Sequence, residues 1–109
     1  MEKEIILRAT NCVITVFPEE RKNDEKRYNL KITFDNRVKV VIYLLDLDKI
    51  DMLKKIAYGK VFIQISKEVE HQGKVLFPAI ISLANVRGMN CQISKFNLRK
   101  ITDWIIKKV

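Results

Sequence analysis

The chain has 109 residues, the length of one domain around a single buried core. Its composition, 48% hydrophobic and 31% charged with only 3 Gly and 2 Pro, excludes a disordered or collagen-like chain. Lys and Arg number 21 against 13 Asp and Glu, and the resulting net charge of +8 attracts polyanions over a Debye length of roughly 8 Å. An AT-biased coding sequence would also enrich lysine with no ligand selecting it, so the charge has two readings.

No apolar run approaches the roughly 18 residues that a membrane span needs. The acids in Met1-Glu2-Lys3-Glu4, with no small-residue cleavage site after an apolar segment, speak against a signal peptide. A cytoplasmic protein with no membrane partner is expected.

Residues 4–17 are rich in Ile, Val and Thr and read as one long strand kinked near Thr10-Asn11, or as two short ones. Residues 18–27 hold no aliphatic side chain and read as a solvated loop. Tyr28, Leu30, Ile32 and Phe34 then alternate with polar residues, as in a strand with one wet face. Asp35-Asn36 tolerates positive φ and predicts a tight turn into a return strand over residues 37–45. That strand is apolar on both faces, with Val38, Val40, Ile42 and Leu44 on one and Val41, Tyr43 and Leu45 on the other. It asks for cover by a helix or by a second copy, and a homodimer is expected on this ground.

Over residues 46–58 the period changes. Leu47, Ile50, Leu53 and Ala57 fall at helical spacing, with acids at the start and Lys54, Lys55 and Gly59 at the end. Residues 60–67 and 74–83 alternate again and form two strands joined through Gly73. Pro78 cannot donate to a ladder and implies an edge strand or a bulge. Residues 85–90, with Gly88, read as a turn. Ser94 then caps a last helix whose buried stripe is Leu98, Ile101, Trp104 and Ile105. The expected fold is a single α+β domain over residues 1–109: an antiparallel sheet of about five strands and two α-helices, one after the third strand and one at the C-terminus.

Catalytic patterns are missing from the sequence. His71, the single histidine, sits at an expected hairpin tip among acids. Asp46 with Asp48 reads as helix capping, and Glu68 with Glu70 as the wet side of a strand end. No glycine-rich phosphate loop is present, and Cys12 and Cys91 read as reduced core thiols. The chain is therefore expected to be no enzyme, to bind no metal and to need no cofactor.

Two basic groups point to binding. Arg87, Lys95, Arg99, Lys100, Lys107 and Lys108 lie on or before the last helix, opposed by Asp103. Arg27, Lys31, Arg37 and Lys39 form a second group on the polar side of the hairpin, with Tyr28, Phe34 and Tyr43 nearby, and a sheet that mixes basic and aromatic residues can stack the bases of a single strand. Cations so placed neutralise successive phosphates. The helix cations also complement the helix dipole, and Tyr28 and Phe34 share their face with Leu30 and Ile32, so they read first as core.

The run Gly59-Lys60-Val61-Phe62-Ile63, with Ser66-Lys67, Gly73 and Phe77-Pro78, resembles the strand–hairpin–strand of SpoVG-type nucleic-acid-binding proteins. It covers less than a quarter of the chain, the preceding helix has no counterpart there, and no residue role carries across. From the residues themselves, the leading expectation is a small nucleic-acid-binding module that holds single strands by phosphate contacts. The alternative is a protein-interaction module or an inhibitor of a larger acidic or nucleic-acid-handling partner.

Overall fold

A computed structural model describes residues 5–19, 27–83 and 85–108. The expected loop over residues 18–27 falls mostly outside this set, as do Met1–Glu4 and the side chains of Lys107 and Lys108.

The first strand, β1 (Ile5–Glu19), is continuous but changes phase in the middle. Leu7 and Ala9 point inward, and so do Cys12 and Ile14, which puts one extra residue between the two sets. A bulge absorbs that residue, and Asn11 takes a left-handed φ of 57° there. The bulge lets β1 serve two neighbours. Its first half pairs with β4 (Tyr58–Ile65), with Ile5 opposite Ile65, and its second half pairs with β2 (Arg27–Phe34), with Val13 opposite Thr33.

The β2–β3 hairpin forms where the alternation places it. Asp35 and Asn36 have φ of 52° and 59°, and the Arg37 N–H donates to the Phe34 carbonyl at 3.0 Å. In β3 (Val38–Leu44) the residues Val40, Ile42 and Leu44 enter the core. α2 (Lys95–Lys108) lies along β3, and on the strand's second apolar face Val41 and Tyr43 are half-buried. Leu45, on the same face, stays 51% exposed.

After β3 the expected helix over residues 46–58 is cut short. A 3₁₀ turn (Leu47–Lys49) leads into one turn of helix, α1 (Ile50–Leu53). The Ala57 carbonyl accepts the Ile14 N–H at 2.8 Å and Tyr58 is already opposite Val13, so pairing with β1 overrides the helical pattern. A second correction concerns residues 85–90. Most of this expected turn belongs to β7 (Val86–Ser94), whose inward residues are Met89, Cys91 and Ile93.

Between these, β5 (Val69–His71) and β6 (Lys74–Leu83) form a hairpin through Gln72 and Gly73, both with positive φ. The described residues therefore form seven strands rather than about five. The sheet is not open: the order β4-β1-β2-β3-β7-β6 returns to β4, closing a six-stranded antiparallel barrel that carries β5 on β6. Closure removes most of the free edges that an open sheet would expose.

Pro78 is accordingly not on an edge strand. On one side it is opposite Gln92 of β7; on the other, β6 changes partner there, from β5 to β4. Its carbonyl accepts the Ser66 N–H at 2.9 Å, so its missing donor faces that change of partner.

One seam of the barrel is short. In the ladder β3 meets β7 at Tyr43–Gln92 and Leu44–Cys91, and α2 takes the place of a strand beside the first half of β3. Ser94 caps α2, its hydroxyl accepting the Asn97 N–H at 3.2 Å. The Asn97 side-chain carbonyl then accepts the Val41 N–H at 3.0 Å, as a strand would. Farther along, Trp104 stacks on Phe34 with 4.9 Å between ring centroids and donates to the Asp35 carboxylate at 2.8 Å.

Candidate nucleic-acid interface

Alternation sets which side chains leave the barrel. On β2 and β3 the outward positions are Asn29, Lys31 and Thr33 opposite Tyr43, Val41 and Lys39. Lys31 and Tyr43 are half-buried and Lys39 is exposed. Arg27 and Arg37 are exposed at the two ends of the hairpin, separated by about 25 Å of strand.

Packing of α2 on β3 brings the two basic groups together. The Lys100 ammonium donates to the main-chain carbonyl of Lys39 at 3.2 Å and lies 4.6 Å from the Phe96 ring centroid. Lys95 and Arg99 are exposed on the same helix, and Phe96 is 69% exposed. Lys39 and Lys100 thus share one region, with Arg37 two residues from Lys39 and with Lys95 and Arg99 on the helix of Lys100; among the described residues none of the five is ion-paired.

Arg87 is not part of that region. Its carbonyl accepts the Lys49 ammonium at 3.3 Å, and Lys49 also reaches Asp46 at 4.0 Å. Asp46 in turn accepts the main-chain and side-chain N–H groups of Asn90, at 2.8 and 3.2 Å, beside the far end of β3. This places Arg87 about 20 Å along the strand from Lys39. The described part of the last helix adds nothing about the side chains of Lys107 and Lys108.

Arg27 borders a shallow cleft of about 360 Å³ that the sequence did not suggest. Its other walls are Tyr28, Tyr43, Leu44, Leu45, Leu47 and Gln92. Tyr28 packs partly against the core, with the Lys54 ammonium 5.7 Å from its ring centroid. Phe34, by contrast, is wholly buried, as its phase implies. Tyr43 was legible as an out-of-phase aromatic on β3. Gln92 was also legible, because Met89, Cys91 and Ile93 alternate with Asn90, Gln92 and Ser94, a strand signal hidden by the turn residues before it. The roles of Leu45, Leu47 and Lys54 depend on chain reversal after β3 and had no signal in the sequence.

Beside Tyr43 lies Asn29, only 5% exposed. Its amide nitrogen donates to Glu19 at 3.1 Å, and its side-chain oxygen has no hydrogen-bond partner among the described residues.

The groups that could act as nucleophiles are poorly placed. Burial, with a smaller contribution from Asp46, pushes the Cys91 thiol up to about 12, so it stays protonated at neutral pH. Cys12 is buried as well, and His71 is exposed in the β5–β6 hairpin. Among the described residues no three His, Cys, Asp or Glu side chains are grouped to hold a metal ion. Nor is any helix among them long and apolar enough to cross a membrane.

Compared with protein-family models, with curated proteins and with solved structures, the chain matches none. The partial likeness to SpoVG-type proteins therefore gains no support from these comparisons.

Proposed function

We propose that the protein binds single-stranded nucleic acid along the outer face of the β2–β3 hairpin and α2, without catalysing a reaction. The observation that carries this reading is the contact of Lys100 with the Lys39 carbonyl, which brings together cations from two groups far apart in sequence, neither of them ion-paired among the described residues. Arg27, Lys31, Arg37, Lys39, Lys95, Arg99 and Lys100 would contact phosphates. Such contacts set affinity and register rather than sequence preference. Arg87 is set aside, since it lies on β7 and not on the hairpin or α2. A cytoplasmic setting belongs to the same proposal.

Binding of a labelled single-stranded oligonucleotide across a salt series, beside a duplex of equal length, tests it. The expected result is preference for the single strand, with affinity falling steeply with salt. The double variant Arg99→Glu/Lys100→Glu should weaken binding at least tenfold and flatten the salt slope. No binding at low salt would refute the proposal.

An acidic protein partner is the second reading, favoured by Phe96 and Ile106, which are 69% and 71% exposed on α2 beside its cations. Pull-down with and without nuclease separates the two, because a protein partner of this kind survives nuclease treatment.

A further inference from the structure

We infer that the cleft beside Arg27 seats one unstacked base of the bound strand, an inference that rests on the single-strand reading above. Phosphate contacts alone would leave this end of the hairpin with cations and nothing for a base to meet. The cleft supplies the missing half of such a contact. At about 360 Å³ it falls near the low end of small-molecule sites, which run from roughly 300 to 1,000 Å³, and suits one ring system rather than a stack.

Its chemistry is mixed in a way that fits a base. Leu45 and Leu47 are 51% and 48% exposed, apolar surface that the core does not use. Tyr43, half-buried, lines the cleft with them, and an aromatic ring is the platform on which unstacked bases are held irrespective of their identity. Gln92, opposite Tyr43 in the ladder, brings an amide with both donors and an acceptor for a base edge.

The rim carries the complementary charge. Arg27 lines the cleft, and a guanidinium holds the phosphate of the nucleotide whose base is inserted. Lys54 adds a second cation over Tyr28. Of the two acids that flank Leu47, Asp46 directs its carboxylate to Asn90 and Lys49, and Asp48 is exposed. Single exposed leucines are ordinary on protein surfaces. Two of them that share a cleft with a tyrosine, an amide and an arginine form a site.

The experiment compares two labelled strands of about twelve nucleotides, one of thymidine and one of abasic sugars with the same phosphates. Fluorescence anisotropy reads binding by the wild-type protein, by Tyr43→Ala and by Leu47→Ser; the last changes an exposed residue and guards against misfolding. The wild type should bind the thymidine strand about tenfold more tightly. Both variants should lose most of that advantage while keeping wild-type affinity for the abasic strand. Equal wild-type affinity for the two strands would overturn the base site and leave the phosphate reading standing. So would variants that weaken both strands alike. Binding to neither strand would overturn both readings.

Discussion

Cys91 shows how one buried group couples the barrel to pH. Its thiol faces inward from β7 and donates weakly to the Met89 carbonyl at 3.7 Å. Unfolded, a thiol ionises near 9.0; in the folded protein burial holds this one at about 12. The folded state therefore keeps a proton that the unfolded state gives up. The corresponding stability is full below pH about 9 and is lost as pH rises from there toward 12. Cys91→Val removes the titration and keeps the volume nearly constant. Urea unfolding from pH 8 to pH 10.5 should show a shallower alkaline decline for the variant than for the wild type. Equal declines would mean that the thiol is not the group responsible.

At the scale of elements, the bulge in β1 is the feature most open to test. Asn11 holds a left-handed φ of 57°, which asparagine tolerates and β-branched residues do not. Asn11→Val should destabilise the protein by about 1–2 kcal/mol, and Asn11→Gly should leave it within about 0.5 kcal/mol of wild type. A neutral Asn11→Val in denaturant unfolding would show that the backbone relaxes out of the bulge. The position of this kink was legible in the sequence, because Thr10-Asn11 interrupts a run of strand formers. The β2–β3 hairpin and the cap of α2 were legible for the same kind of reason: turn chemistry and periodicity agree there. The helix over residues 46–58 was overcalled, since helical spacing is a local signal and the pairing of Ala57 and Tyr58 with β1 is not. In β7 the reverse held, as Arg87-Gly88 suggested a turn while Met89 to Ser94 alternated like a strand.

For the whole molecule, closure of the sheet was not legible, because nothing local records that β6 returns to β4. The same gap hid the cleft, whose walls come from β2, β3, β7 and the 3₁₀ turn. The cations were visible one by one, but the meeting of Lys100 with Lys39 depends on α2 lying along the short seam. That seam also sets where the barrel should open first. The Val41 amide is bonded to a helix side chain, whereas Ile32 sits in a strand paired on both sides. Hydrogen exchange should therefore find the Val41 amide less protected than that of Ile32. Asn97→Ala should speed exchange at Val41 and leave Ile32 unchanged. Loss of protection at both together would mean that α2 and the barrel open as one unit.

The divided loyalty of β1 also has a consequence in time. Its second half meets β2 across a short connection, a pairing of the kind that forms in about 1–10 μs. Its first half must wait for β4, with Ile5 opposite Ile65, and the ring cannot close until β6 and β7 have joined as well. One strand is thus zipped from two ends on two clocks. The slower clock, set by distant pairings rather than by local propensity, governs the rate at which the native barrel appears.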